Sequence, residues 1–197
     1  MLTKNQIQTM HFLEAFGDRF WIQTFDDNKQ RKNSGASPEL VRTWNVDLEG
    51  AEELLPELLA LNQRGAGIYF CVNEVDGDVR SNNTVKSIRA AFLDLDGSPL
   101  QPVLPSQPDI VVQTSKEKYH CYWLVKPKEP ADKVIFKNIQ QGLAAKFHSD
   151  RSISDLARVM RIPGFYNMKS KPFLIRHSTD AGSFENCLVE MESRYAL

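Results

Sequence analysis

The chain has 197 residues, 42% hydrophobic and 25% charged, which is material for one domain with a lobe and too apolar for bulk disorder. Its 24 lysines and arginines against 25 acids give a net charge of −1, which excludes a globally basic nucleic-acid binder but not a local basic patch. No run of about 18 apolar residues offers a transmembrane helix, and Met1–Gln8 lacks the basic and apolar regions of a secretory leader.

Thr3–Phe16 is expected to be a helix, because Thr3 and Gln6 make a capping-box pattern and Gly17 is a natural stop. Phe20–Phe25 is a short strand of aromatic and β-branched residues, and Asp26–Pro38 is a polar, mobile loop by composition. Glu49–Gln63 is helical, with Leu54, Leu58 and Leu61 on one face and Leu55 and Leu59 beside them; Pro56 lies in its first turn or kinks it. Gly65–Asn73 is a strand entered through a glycine turn, Val75–Asn83 a polar turn region, and Ile88–Asp96 a strand ending in acids. Ser98–Pro108 holds four prolines and is no helix. Asp109–Thr114 and Tyr119–Val125 are strands around a tight turn, and Ala131–Phe147 is an amphipathic helix. Ser154–Met160 is ambiguous between helix and strand, while Phe173–His177 and Cys187–Met191 read as late strands. Cys71, Cys121 and Cys187 are scattered and form no CxxC pair, so they read as buried thiols in a reducing cytosol. The expected class is α+β with a mainly antiparallel sheet.

The most informative segment is Phe92-Leu93-Asp94-Leu95-Asp96-Gly97. Side chains alternate along a strand, so Asp94 and Asp96 share a face. Like charges that close disfavour one another, and a divalent cation relieves the conflict. Oxygen-only ligands suit Mg²⁺ or Mn²⁺. The bland alternative is a polar strand end capped by water. A second feature is the stretch from Arg151 to Arg176, with six cations against one acid, a local +5 that is otherwise a solvated face.

Two superfamilies place such acids at a strand end. At Asp94–Leu100 the chain resembles haloacid-dehalogenase-like phosphatases, with Ser115 resembling their second motif and Asp150 and Asp155 their last acids. Their sheet is parallel, however, and only twelve residues, four of them proline, separate Asp96 from Asp109. That leaves no room for a packed crossover helix, and an antiparallel neighbour is the easier solution.

The run from GAGIYFCVN through FLDLDG and TSKEKYHCYW to DRSISDLARVMRIPGFYNMK resembles the RepB-like primases of plasmids and phages, in the archaeo-eukaryotic primase superfamily. The resemblance covers most of the chain. It implies a single catalytic domain over 1–197, with an N-terminal α/β lobe about 1–75 packed with an RRM-like catalytic lobe about 76–197. The antiparallel catalytic sheet would be flanked by helices.

It further implies a cytoplasmic primase or primase-polymerase that builds short primers on single-stranded DNA from NTPs or dNTPs. In that reaction the 3′-hydroxyl of one nucleotide attacks the α-phosphorus of the next and pyrophosphate leaves. Asp94 and Asp96 would hold two Mg²⁺ or Mn²⁺ ions with a third acid, Asp150 by position or Asp155 in its place. His120 would donate to a triphosphate oxygen as charge develops. Ser115, Lys118, His120, Arg158, Arg161 and Lys169 would contact nucleotide or phosphate. No Walker-type motif is present, so a helicase would be a separate chain or would lie outside this sequence. A non-catalytic replication-initiator module that binds DNA with vestigial acids is the other reading.

Overall fold

The computed structural model describes residues 1–28, 31, 38–178 and 188–195. Residues 29, 30 and 32–37 of the expected Asp26–Pro38 loop lie outside the described residues, as does Cys187. In chain order the elements begin with helix α1 (Lys4–Phe16), strands β1 (Arg19–Asp26) and β2 (Thr43–Asp47), helix α2 (Leu48–Gln63) and strand β3 (Ala66–Cys71). Next come β4 (Glu74–Val75), β5 (Val85–Asp96), β6 (Ile110–Ser115), β7 (Lys118–Pro130) and helix α3 (Lys133–Lys146). The short strands β8 (Val159–Arg161), β9 (Tyr166–Asn167), β10 (Phe173–Leu174) and β11 (Arg176–Ser178) precede helix α4 (Leu188–Tyr195). Two compact units result, and they are not contiguous: Met1–Cys71 joins Val159–Arg176, and Val72–Arg158 joins His177–Leu197.

The first unit is built on an antiparallel sheet in the order β2-β1-β3-β8. The capping box forms as its residues dictate: Thr3 N–H donates to Gln6 Oε1 at 2.8 Å and Gln6 N–H to Thr3 Oγ1 at 3.3 Å. Helix α1 buries Phe12, Leu13 and Phe16, and Phe12 and Phe16 meet the edge of Phe70 on β3 at 5.1 and 4.9 Å. In α2 the buried stripe is Ala51, Leu55, Leu58 and Leu61, while Leu59 is exposed, so the apolar face is turned from the expected one. Pro56 lies in the helix interior, beyond its first turn. Asp47 caps the helix by accepting from Gly50 N–H at 2.8 Å.

Val159–Arg161 belongs to this unit, not to the C-terminal lobe, because it pairs antiparallel with the free edge of β3. Gly164 is required here. At φ +92°, an added Cβ would sit 2.4 Å from the Asn5 carbonyl oxygen and 2.2 Å from Thr9 Oγ1.

The second unit carries a five-stranded sheet in the order β11-β6-β7-β5-β4, with the pairs among β4 to β7 antiparallel. β5 and β6 each pair antiparallel with β7, so they run parallel to one another on either side of it. The proline-rich segment after Asp96 therefore does not turn back beside β5 as expected. It crosses β7 without an α-helix, containing only a 3-10 turn at Leu104–Ser106. Val103 is buried and Trp123 Nε1–H donates to the Ser106 carbonyl at 2.9 Å, which fastens the crossing. The antiparallel neighbours and the missing crossover helix set aside the parallel phosphatase architecture.

Helix α3 starts at Asp132, whose Oδ1 accepts from Val134 and Ile135 N–H at 2.9 Å. It ends in a Schellman arrangement, with His148 at φ +54° and Ser149 N–H reaching the Ala144 carbonyl at 2.9 Å. The expected strand at Cys187–Met191 is a helix from Leu188 onward: Met191 and Tyr195, four residues apart, are both buried. Phe173–His177 is broken at Ile175 into β10, which pairs with β9, and β11. Cys71 and Cys121 are buried free thiols, and burial pushes the Cys121 thiol up to about 12. No described helix is long and apolar enough to cross a membrane.

Candidate active site

Period-two alternation decides the end of β5. Leu93 and Leu95 are buried, and Asp94 and Asp96 point the other way. Cross-strand register then brings β7 residues onto the acid face: Asp94 lies opposite His120, and Asp96 opposite Lys118. His120 Nε2 is 3.8 Å from Asp94 Oδ1. The other ring nitrogen, Nδ1, is 3.3 Å from the Tyr122 hydroxyl. Burial, with a smaller contribution from the Asp94 charge, holds the Tyr122 phenol well above its ordinary range, so it stays neutral. Lys118 forms an ion pair with Asp96, and both are largely exposed.

The β6–β7 hairpin places Ser115 opposite Lys118. Its tip residue Glu117 takes φ +60°, a conformation that glycine ordinarily fills and that costs another residue about 1 kcal/mol. The tip and the Gly97–Gln101 segment enclose a cavity of about 430 Å³, which Lys118 also lines.

Asp150 and Asp155 separate by geometry. A cavity of about 130 Å³ is lined by Asp94, Asp96, Asp150 and His148, with Ser98, Ser149 and Ile153 completing its wall. Asp150 accepts from Ser152 N–H at 2.8 Å, and that bond holds its carboxyl below the usual range, so it is ionised. Asp155 does not line this cavity. Its Oδ1 is 2.5 Å from Arg158 Nη2. Among the described residues no three acidic, His or Cys groups converge into a ready-made metal cage.

The basic run is divided between the two units. Arg151 and Arg158 lie in the second unit, and Arg161, Lys169, Lys171 and Arg176 in the first. Arg161 is 4% exposed, and its guanidinium forks onto Asp27 through bonds of 2.8 and 2.9 Å. The Tyr69 ring lies 4.7 Å beneath it. Asp27 also accepts from Met168 N–H at 3.0 Å and the Tyr69 hydroxyl at 3.2 Å. The fork expected on phosphate is therefore engaged by a buried carboxylate. Lys169 is exposed, and its backbone N–H bonds Asn167 Oδ1 at 3.2 Å.

Reading the sequence missed Asp27, which sits in a polar stretch, and Gln140, an ordinary polar residue within an amphipathic helix. Asn73 proves structural: its Oδ1 accepts from Arg89 N–H and its Nδ2 donates to the Leu156 carbonyl, both at 3.0 Å.

The family model of the RepB DNA-primase N-terminal domain matches residues 56–194. The chain belongs to this primase family. Solved structures agree on the fold. The archaeo-eukaryotic primase (AEP) domain of the cyanophage S-2L primase-polymerase superposes with a TM-score of 0.71 at 18% identity, covering 95% of this chain and 96% of that one. The catalytic domain of primase RepB′, solved in complex with initiator DNA, gives 0.69 at 19% identity over 98% and 95%. A longer RepB′ primase chain gives 0.69 at 19%, covering 97% of this chain and 62% of its own length. No curated protein matches the chain. The fold is thus α+β of the archaeo-eukaryotic primase type, and Asp94, Asp96, His120 and Asp150 all fall within the span matched by the RepB model.

Proposed function

We propose that this chain is the catalytic domain of a primase or primase-polymerase, making short primers on single-stranded DNA by metal-dependent nucleotidyl transfer in plasmid or phage replication. The observation that carries the reading is the convergence of Asp94, Asp96 and Asp150 on one cavity at the end of β5. The donor set fits hard divalent ions such as Mg²⁺ or Mn²⁺. Such ions favour oxygen, keep several waters, and are held by one or two carboxylates plus substrate phosphates, not by an all-protein cage. Asp94 and Asp96 would hold them, with Asp150 as the third acid in preference to Asp155, which is engaged by Arg158. Bound there, the ions would activate the attacking hydroxyl and neutralise charge on the departing pyrophosphate.

The chain's own groups do the rest. Tyr122 meets His120 Nδ1, leaving Nε2 on the acid face to donate to a phosphate oxygen. Lys118, which borders the larger cavity, and Ser115, opposite it on the hairpin, would bind nucleotide phosphates. Lys169 would contact phosphate, and Arg158 would do so on leaving its ion pair with Asp155, whereas Arg161 is better assigned to its buried pair with Asp27. The substrates would be NTPs or dNTPs and a single-stranded template, acting in the cytoplasm. RepB′ bound to initiator DNA supports a DNA ligand.

The test is primer synthesis on single-stranded DNA with labelled nucleotides and Mg²⁺ or Mn²⁺. Short products that vanish in Asp94→Ala/Asp96→Ala are expected. DNA binding without synthesis in the wild type would favour the initiator-module reading instead.

A further inference from the structure

β4 pairs with β5 only at Val85 and Ser87. Past that point, the edge of β5 away from β7 has no strand beside it among the described residues, although β5 runs on to Asp96. Buried backbone groups on such an edge need partners. Near the acids the partner is a side chain. Gln140, in the middle of α3 and 1% exposed, accepts from Phe92 N–H through Oε1 at 3.0 Å and donates through Nε2 to the Phe92 carbonyl at 3.0 Å. The same Nε2 donates to the Ile153 carbonyl at 3.3 Å. Both amide donors and an acceptor are thus engaged.

The two ends of this bridge matter. Phe92 is two residues before Asp94 and on the same face of the strand. Ile153 lines the acid cavity and follows Asp150 within a segment that has no helix or strand. A further contact ties that segment to the strand end: Ser98 Oγ donates to the His148 carbonyl at 2.6 Å. Simple satisfaction of a strand edge would need only the two bonds to Phe92. The third bond joins the two limbs that carry the carboxylates. Carboxylates gathered from separate elements bind an ion only as well as those elements hold their spacing.

We propose that Gln140 is a positioning residue of the carboxylate site, setting the distance between the Asp94–Asp96 strand and the Asp150 segment. The proposal rests on the reading of that site as a divalent-ion site.

The experiment compares wild type with Gln140→Met, which keeps the volume and removes all three bonds. Gln140→Asn is the milder variant, one methylene too short to span both partners. Hydrogen–deuterium exchange by mass spectrometry and Mn²⁺ affinity by calorimetry are read on the whole chain. Exchange over residues 148–155 should quicken about tenfold or more while α1 in the other unit is unchanged. The Mn²⁺ dissociation constant should rise about tenfold. A folded variant with exchange over 148–155 and Mn²⁺ affinity both within twofold of wild type would overturn the proposal. If Asp94→Asn/Asp96→Asn binds Mn²⁺ like wild type, the ion-site reading itself fails. Unchanged exchange would then sink the positioning role, and faster exchange would uphold the bridge between the two limbs.

Discussion

Asp27 in the first unit and the Asp94–Asp96 pair in the second are all carboxylates beside basic side chains, and their surroundings differ. The Asp27 side chain is 1% exposed and takes Arg161, Met168 N–H and the Tyr69 hydroxyl together. Asp94 is 29% exposed and its cross-strand neighbour His120 stands off at 3.8 Å. Asp96, 64% exposed, meets a lysine that is itself half in water. A saturated buried pair has no ligand position left and serves the fold. An open pair keeps oxygens available for an ion or a substrate. The basic residue that sequence reasoning gave to phosphate, Arg161, is on the saturated side of that divide.

This contrast is breakable by experiment. The largest effect should come from Asp94→Asn. Removal of the proposed ion ligand should cost more than the roughly 10–100-fold typical of a supporting residue, with the melting temperature unchanged; primer synthesis and thermal denaturation together check it. Asp27→Ala should do the reverse. Leaving Arg161 buried and unpaired should cost about 3–5 kcal/mol in urea denaturation, whereas the double replacement Asp27→Leu/Arg161→Met should recover much of it. Gly67→Ala should cost about 1–3 kcal/mol, because a Cβ there would lie 2.5 Å from Asp27 Oδ1 and 2.8 Å from Arg161 Nη1.

The smallest effects should separate the two acids after α3. Asp150→Asn should lower synthesis measurably, and Asp155→Asn should leave it within about threefold, since only Asp150 lines the acid cavity. Asp150 also carries a pH signature. Its carboxyl is lower in the folded than in the unfolded chain. The stability it contributes is therefore present above the unfolded value and is lost as the pH falls through the folded one. A carbon-13 titration of its carboxyl should show protonation below the ordinary aspartate range.

What was legible in the sequence was local. The capping box at Thr3 and Gln6, the alternation that puts Asp94 and Asp96 on one face, and the helical period of α3 depend on residues a few positions apart. The order of the RepB-like motifs was legible too, and it named the family before any coordinate did. The late helix α4 was misread because its few residues fit either period. The face of α2 turned because the choice among five leucines is made by what packs against them.

Tertiary structure alone decided which strands are neighbours. It sent the proline-rich segment across β7, drew Val159–Arg161 onto the edge of β3, and so divided one basic run between two units. It paired Asp27 with Arg161 across 134 positions of chain and placed Gln140 on Phe92 across 48. The chain's local preferences fix turns, caps and faces. Partners so far apart meet only when burial and the pairing of backbone edges select one topology, and that selection also determines which acids share a cavity.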